Sequence, residues 1–329
     1  MSKVWDAIVI GGGAAGLFCA GVAGQLDKTV LVLDHADVLC EKIRISGGGR
    51  CNFTNLHSSP ANFLSLNPHF VKSALARYPS REFIKLVQSY RIAYHEKHQG
   101  QLFCDDSAKQ IIEMLLSECA KGNVDIRHPV TVESISQEAG VWIVKTSTGT
   151  ERSKSIVMAT GGLPVPAIGA TAYSLDIAKQ FGLKVVDPRP ALVPLSFTSG
   201  EFDHLMALSG LSLPVRIAAG SKGMRYGACR FNEDLLLTHK GLSGPAVLQA
   251  SSYWVEGEAI HIDWLGAVEA NGRFSCDELF NHEDNRLKLT ENILASVMPL
   301  RLAKAFAEQK NLLGKKWAEV SKKDRQQHN

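Results

Sequence analysis

The chain has 329 residues, 45% hydrophobic and 21% charged, which suits about two globular domains and excludes a fibrous, collagen-like or largely disordered protein. Its 36 Lys and Arg against 33 Asp and Glu leave +3, all of it carried by the segment from Gly314 to Asn329, so the body is neutral and no nucleic-acid partner is expected. No apolar run approaches the ~18 residues of a membrane helix and no leader pattern opens the chain, which predicts no membrane partner and a cytoplasmic protein.

Seven cysteines include no Cys-x-x-Cys pair, and eleven histidines include no His-Glu-x-x-His, so reduced thiols and no metal site are expected. The basic segment after Gly314 reads as a solvated end.

Asp6-Ala7-Ile8-Val9-Ile10 is short, apolar and β-branched, and it runs into Gly11-Gly12-Gly13-Ala14-Ala15-Gly16. Leu17, Ala20, Val22 and Leu26 then recur at helical steps, and Thr29-Val30-Leu31-Val32-Leu33-Asp34 reads as a second buried strand. This is a βαβ unit with dinucleotide spacing. Gly11 permits the turn, Gly13 admits a pyrophosphate to the backbone of Ala14 and Ala15 at the helix amino end, and Gly16 allows close helix–strand packing. A bulky residue at Gly16, or Gly13→Asp, is expected to abolish cofactor binding while the protein still expresses. Asp34 stands where an acid accepts a ribose hydroxyl and repels a 2′-phosphate, which favours NAD or FAD over NADP at this site. The alternative is a tight turn without a ligand.

Ile45-Ser46-Gly47-Gly48-Gly49-Arg50-Cys51-Asn52 follows, with Phe53-Thr54-Asn55 behind it. Three glycines beside Arg50 can present several N–H donors and a guanidinium to one oxyanion, or form a flexible loop. Val124 to Ile126, Val130 to Val132, Ile135 and Val141 to Val144 alternate like strands, punctuated by Gly140 and Gly149 into a meander, and Ile156-Val157-Met158-Ala159 forms another buried strand before Thr160-Gly161-Gly162.

These segments, with Pro166 and Gly169 and with Thr238-His239-Lys240-Gly241-Leu242-Ser243-Gly244-Pro245, are similar to the YhiN/BaiN-type flavoproteins, a branch of the two-dinucleotide-binding-domain FAD oxidoreductases. The resemblance runs from about Val4 to the end and covers nearly the whole chain. It implies an α/β fold: a Rossmann-like FAD-binding domain over residues 1–190, with a parallel sheet and a β-meander, plus an inserted β-rich and helical cap domain over 191–329. It implies FAD as cofactor, NAD(P)H as electron donor and a small-molecule substrate. FAD contacts would come from Gly11, Gly13, Ala14, Ala15, Gly16, Asp34, His35, Gly47, Gly48, Gly49, Arg50, Cys51, Asn52, Thr160 and Gly161, with adenine near Val132.

Asp34-His35 stands where family members carry Glu and a basic residue, Cys40-Glu41 where they carry a Gly-basic pair, and Leu163-Pro164 where they carry Ser. Nothing after Leu313 resembles the family's closing strand, so the chain reads as truncated relative to it. In the second domain, Leu213 to Ala218 and Ala259 to Asp263 alternate like strands, and Asn292 to Gln309 has helical spacing despite Pro299. His239 either transfers a proton or is hydrogen-bonded to hold a turn, and Cys51 either reacts or packs. The expected activity is hydride transfer between flavin N5 and a substrate or NAD(P)H. The alternatives are a non-catalytic nucleotide-binding remnant and, disfavoured by the later glycine motifs, an NAD-dependent dehydrogenase.

Overall fold

The computed structural model describes residues 3–220, 228–265 and 276–321. Contacts divide the chain into two compact units, Met1–Phe63 with Asn67–Asp187, and Pro188–Asn329 with Leu64–Leu66.

In the first unit β1 (Val4–Trp5) leads into β2 (Ala7–Ile10), helix α1 (Ala14–Gln25) and β3 (Val30–Leu33). Strand β4 (Asn52–Asn55) pairs antiparallel with β6 (Gln101–Cys104), which also pairs with β5 (Tyr94–Glu96). Helix α2 (Lys109–Lys121), strand β7 (Asp125–Arg127) and the meander β8 (Val132–Glu138), β9 (Val141–Thr146) and β10 (Gly149–Ser153) follow, before β11 (Ile156–Met158).

The central sheet is wholly parallel, in the order β11-β2-β3-β7. Its two central strands, β2 and β3, are apolar and almost wholly buried, as a parallel sheet between two layers requires. Val9, Val30 and Val32 face Leu17 and Ala20 of α1 and Met114 and Leu115 of α2. Ile8, Ile10, Leu31 and Leu33 pack on the other side against Ile135 and Val144 of the meander. This is the α/β fold with a Rossmann-like parallel sheet and a meander. The alternation of Val124 to Ile126 belongs to the parallel sheet as β7, not to the meander, because Leu33 pairs with Arg127. The meander instead takes in β1, parallel to β10.

The second unit holds a five-stranded antiparallel sheet in the order β12-β15-β14-β13-β16, with β12 at Leu195–Ser196, β13 at Ser212–Ala219, β14 at Cys229–Thr238, β15 at Gly241–Ser243 and β16 at His261–Asp263. Helices α3 (Pro245–Ser251) and α4 (Leu300–Gln309) complete its core, where Val215, Ile217 and Leu235 meet Ala246, Val247 and Leu302. The expected helix from Asn292 to Gln309 is two helices: Thr290–Leu294 ends before Pro299, which has no N–H to donate and disfavours helical backbone at the preceding residue. Pro299 instead starts α4, accepting the amides of Leu302 and Ala303 at 2.9 and 3.0 Å.

The segment after Gly314 is packed for as far as it is described. Trp317 and Val320 are buried against Leu279, Phe280 and Ile293, in place of the solvated end expected from its charge. Residues 322–329 lie outside the described residues.

Candidate functional site

Each fingerprint glycine meets a different demand. Gly11, at φ +112°, lies so close to the carbonyl of Ala159 that a Cβ has no room. A Cβ on Gly16 would collide with the carbonyl of Gly11, which is the close helix–strand packing its spacing implied. Gly12, to which the spacing assigned no role, faces side chains and not backbone: a Cβ there would lie 2.5 Å from Leu39 Cδ2 and 3.2 Å from Asp34 Oδ2. Gly13 differs, because a Cβ there would meet nothing within 4 Å. The space in front of Gly13 is open, as a ligand that must approach the backbone requires.

That space belongs to a cavity of about 720 Å³ in the first unit. Its wall brings together Gly11, Gly13, Ala14, Ala15, Asp34, His35, Val132, Thr160 and Gly161, nine residues drawn from four separate stretches of sequence. Gly13 caps α1 without a side-chain hydrogen bond, and the helix carries no acid in its first turn. The amides of Ala14 and Ala15 therefore keep their donors for an anion, at the positive end of the helix dipole.

Asp34 stands at the end of β3. Its Oδ2 accepts the N–H of Gly12 at 2.5 Å and its Oδ1 accepts the N–H of Ala36 at 2.8 Å. His35 Nδ1 lies 3.9 Å from Asp34 Oδ1, and its Nε2 would be 2.6 Å from a Cβ on Gly169. The Cys40 thiol donates to the carbonyl of Gly12 at 3.2 Å, and burial, with the Asp34 charge second, pushes its pKa up to about 12. Two further wall residues, Thr160 and Tyr173, carry hydroxyls that are buried without a hydrogen-bond partner. Such orphaned groups cost stability unless something supplies a partner. Burial raises the pKa of the Tyr173 phenol, so it remains a donor.

The second glycine motif falls elsewhere. Ser46–Gly49 forms a 3₁₀ turn with Gly47 and Gly48 at φ +57° and +68°, and neither they, Gly49 nor the exposed Arg50 lines the cavity. A Cβ on Gly47 would press within 2.7 Å of the Phe103 ring, so this glycine serves packing. Cys51 and Asn52 line a second cavity of about 640 Å³, walled by Phe18, Phe53, Tyr78 and Phe83, which shares Ala14, Ala15, Lys42 and Ile43 with the first. The rings of Phe18 and Tyr78 meet edge-on at 5.0 Å. Burial holds the Cys51 thiol above its ordinary pKa, so it stays protonated at neutral pH.

His239 occupies a two-residue hairpin between β14 and β15, where Thr238 pairs with Gly241. The Thr238 hydroxyl, donating to the Gly241 carbonyl at 3.0 Å, holds this turn. His239 itself is exposed and makes no hydrogen bond among the described residues, which corrects the expectation that its ring braces the turn. Gly244, at φ +91°, sits against the backbone of Asp234 and Leu236. Among the described residues no three His, Cys, Asp or Glu side chains are grouped as a metal site needs, and no helix is long and apolar enough to cross a membrane. Cys19, Cys40, Cys51, Cys104, Cys119 and Cys229 are free thiols.

Lys42, Thr171 and Tyr173 also line the first cavity and were not expected from the sequence. A basic residue eight positions beyond Asp34 was the available signal for Lys42; Thr171 and Tyr173, at the start of the helix Tyr173–Gln180, gave none.

Three curated proteins are similar over most of this chain. A ribosomal RNA dihydrouridine synthase of Escherichia coli K12 is 44% identical over 92% of this chain and 74% of its own length. A protein of that name from Haemophilus influenzae is 45% identical over 98% and 79%. A 3-dehydro-bile acid delta(4,6)-reductase of Clostridium scindens is 24% identical over 80% and 65%. With residues 5–294 matching its pattern, and the glycine turn, Asp34 and the Thr160 turn closing on one cavity, this chain belongs to the HI0933-like protein Rossmann domain family.

Proposed function

We propose that the protein is an FAD-dependent oxidoreductase that reduces a carbon–carbon double bond conjugated with a carbonyl group. The observation that carries the reading is the cavity in front of Gly13. Open glycine backbone, free helix-end amides, a carboxylate at the end of β3 and two orphaned hydroxyls fit a dinucleotide better than a bare structural turn. Each Asp34 oxygen accepts one backbone N–H and keeps a lone pair for a ribose hydroxyl. Ala14 and Ala15 offer their amides to the diphosphate, and Thr160 and Tyr173 offer hydroxyls. When bound, FAD supplies hydride transfer at its N5 atom, with NAD(P)H as the proposed electron donor.

The relatives' names support the reaction class. Dihydrouridine is uridine saturated at a double bond conjugated with a ring carbonyl, and a 3-dehydro delta(4,6) bile acid carries its double bonds in conjugation with a ketone. Two relatives with 44 and 45% identity are named for ribosomal RNA, so we take uracil in ribosomal RNA as the substrate. That choice sets aside the small-molecule substrate that the resemblance implied and the absence of a nucleic-acid partner expected from a neutral chain. Net charge averages over the whole surface and does not describe one face of it.

Saturating such a bond needs a proton as well as a hydride. Cys51 stands on the wall of the aromatic cavity beside the dinucleotide site as a protonated thiol able to supply one.

The test is an anaerobic mixing experiment. The protein, reduced on its flavin, is mixed with ribosomal RNA lacking dihydrouridine, and flavin reoxidation is followed with the gain of two hydrogens by uridine. Both are expected to appear together. Reoxidation by a Δ4-3-ketosteroid and not by RNA would support the small-molecule reading instead.

A further inference from the structure

The two cavities of the first unit share a short stretch of wall formed by Ala14, Ala15, Lys42 and Ile43. Lys42 is the one lysine or arginine among the residues lining either cavity. Its ammonium donates to the carbonyl of Gly162 at 3.3 Å, and a Cβ on Gly161 would lie 3.4 Å from it. The charge is thus held beside the turn that follows Thr160, on the wall that also carries the first turn of α1.

An ammonium has three N–H donors, and the Gly162 carbonyl takes one, leaving two for a ligand. The neighbouring acid does not neutralise it. Glu41 is engaged by Arg44 through Nε at 2.9 Å and a terminal nitrogen at 2.5 Å.

A dinucleotide's diphosphate brings about two negative charges into this cavity, whereas a helix end contributes only about half a positive charge. Asp34 opposes the ligand with a full negative charge and has already taken the Gly12 amide. Arg50, the cation that the sequence put forward, is exposed and lines neither cavity. The remaining full positive charge on the wall is Lys42.

We propose that Lys42 binds the diphosphate of the dinucleotide, supplying the cation that the glycine turn lacks. The proposal rests on the FAD reading above and adds to it a residue outside the glycine motifs. Lys42 acts in binding and takes no part in the chemical step.

The test uses the full chain, its Lys42→Met and Lys42→Arg variants, and titration calorimetry with FAD, ADP, adenosine and riboflavin. Lys42→Met is expected to weaken FAD and ADP about 10- to 100-fold, the effect of losing one charge-assisted hydrogen bond. Adenosine and riboflavin, which lack the diphosphate, should bind unchanged, and Lys42→Arg should restore most of the ADP affinity. ADP affinity should fall less steeply with salt in the Met variant than in the unaltered protein. Because the side chain is exposed, apo Lys42→Met should melt with the unaltered protein.

Unchanged ADP affinity in Lys42→Met, while the unaltered chain binds FAD and ADP tightly, would overturn this assignment and leave the FAD reading standing. FAD weakened with ADP unchanged would place Lys42 at the flavin half and overturn it as well. Failure of the unaltered chain to bind either ligand would sink the FAD reading, and this one with it.

Discussion

The carboxylate of Asp34 reaches back 22 residues to hold the backbone N–H of Gly12 at 2.5 Å, so the residue proposed for the ribose also braces the glycine turn. Asp34→Ala should therefore act twice. FAD and ADP affinities should each fall by ~1–3 kcal/mol, the cost of removing a charged acceptor, and the melting temperature of the apo protein should fall as well. FMN, which lacks the adenosine, is the control in the titration. An equal loss for FMN would mean that Asp34 supports only the turn.

Gly13 and Gly16 should respond in opposite ways, where their shared motif suggested one outcome. Gly13 has φ −85° and open space where a Cβ would stand, so Gly13→Val should fold and melt normally yet lose ADP and FAD. A side chain at Gly16 meets the Gly11 carbonyl, so Gly16→Val should destabilise the fold itself by ~1–3 kcal/mol or more. Thermal melts beside ADP titrations separate the two. A stable Gly16→Val protein would contradict the packing argument.

The contrast shows what could be read in advance. The βαβ unit was legible because apolar run, glycine spacing and closing acid are local and agree with one another. The role of Gly12 was not, because Leu39 and Asp34 confine it from other elements. The Arg50 expectation rested on the family resemblance and on nearness in sequence to three glycines; in the structure Arg50 is exposed and lines neither cavity. Strand β7 alternated like its neighbours, and only pairing with β3 assigned it to the parallel sheet. Tyr173 joins the site from 139 residues beyond Asp34, a convergence that no local pattern carries.

Alkaline pH should loosen the first unit. Burial raises the Cys40 pKa to about 12 and those of Cys104 and Cys119 to about 11, against ~8.5 for an unfolded thiol. Folded pKa values above the unfolded value mean a stabilising contribution that is whole below about pH 8.5 and lost as pH rises toward 11 to 12. Urea midpoints should hold from pH 6 to 8 and decline above about 9, with the half-buried Tyr173, whose pKa burial also raises, adding the same sign above about 10. Cys119→Ala should flatten the slope. A midpoint independent of pH up to 11 would contradict the prediction.

Cys51→Ala should separate the two half-reactions. Reduction of the bound flavin by NAD(P)H needs no proton from the aromatic cavity and should be unchanged, while reoxidation by the unsaturated substrate should slow ~10²- to 10⁴-fold, the usual contribution of a positioned acid. Equal rates for variant and parent in stopped-flow reoxidation would remove Cys51 from the reaction.

The most direct test of the central claim is the identity and stoichiometry of the released cofactor. Protein purified with added FAD, passed over a desalting column and denatured by heat, is expected to release one FAD per chain, and before release to show a flavin spectrum that NAD(P)H bleaches anaerobically. A colourless protein that binds NAD in the Gly13 cavity and leaves FAD in solution would contradict the account.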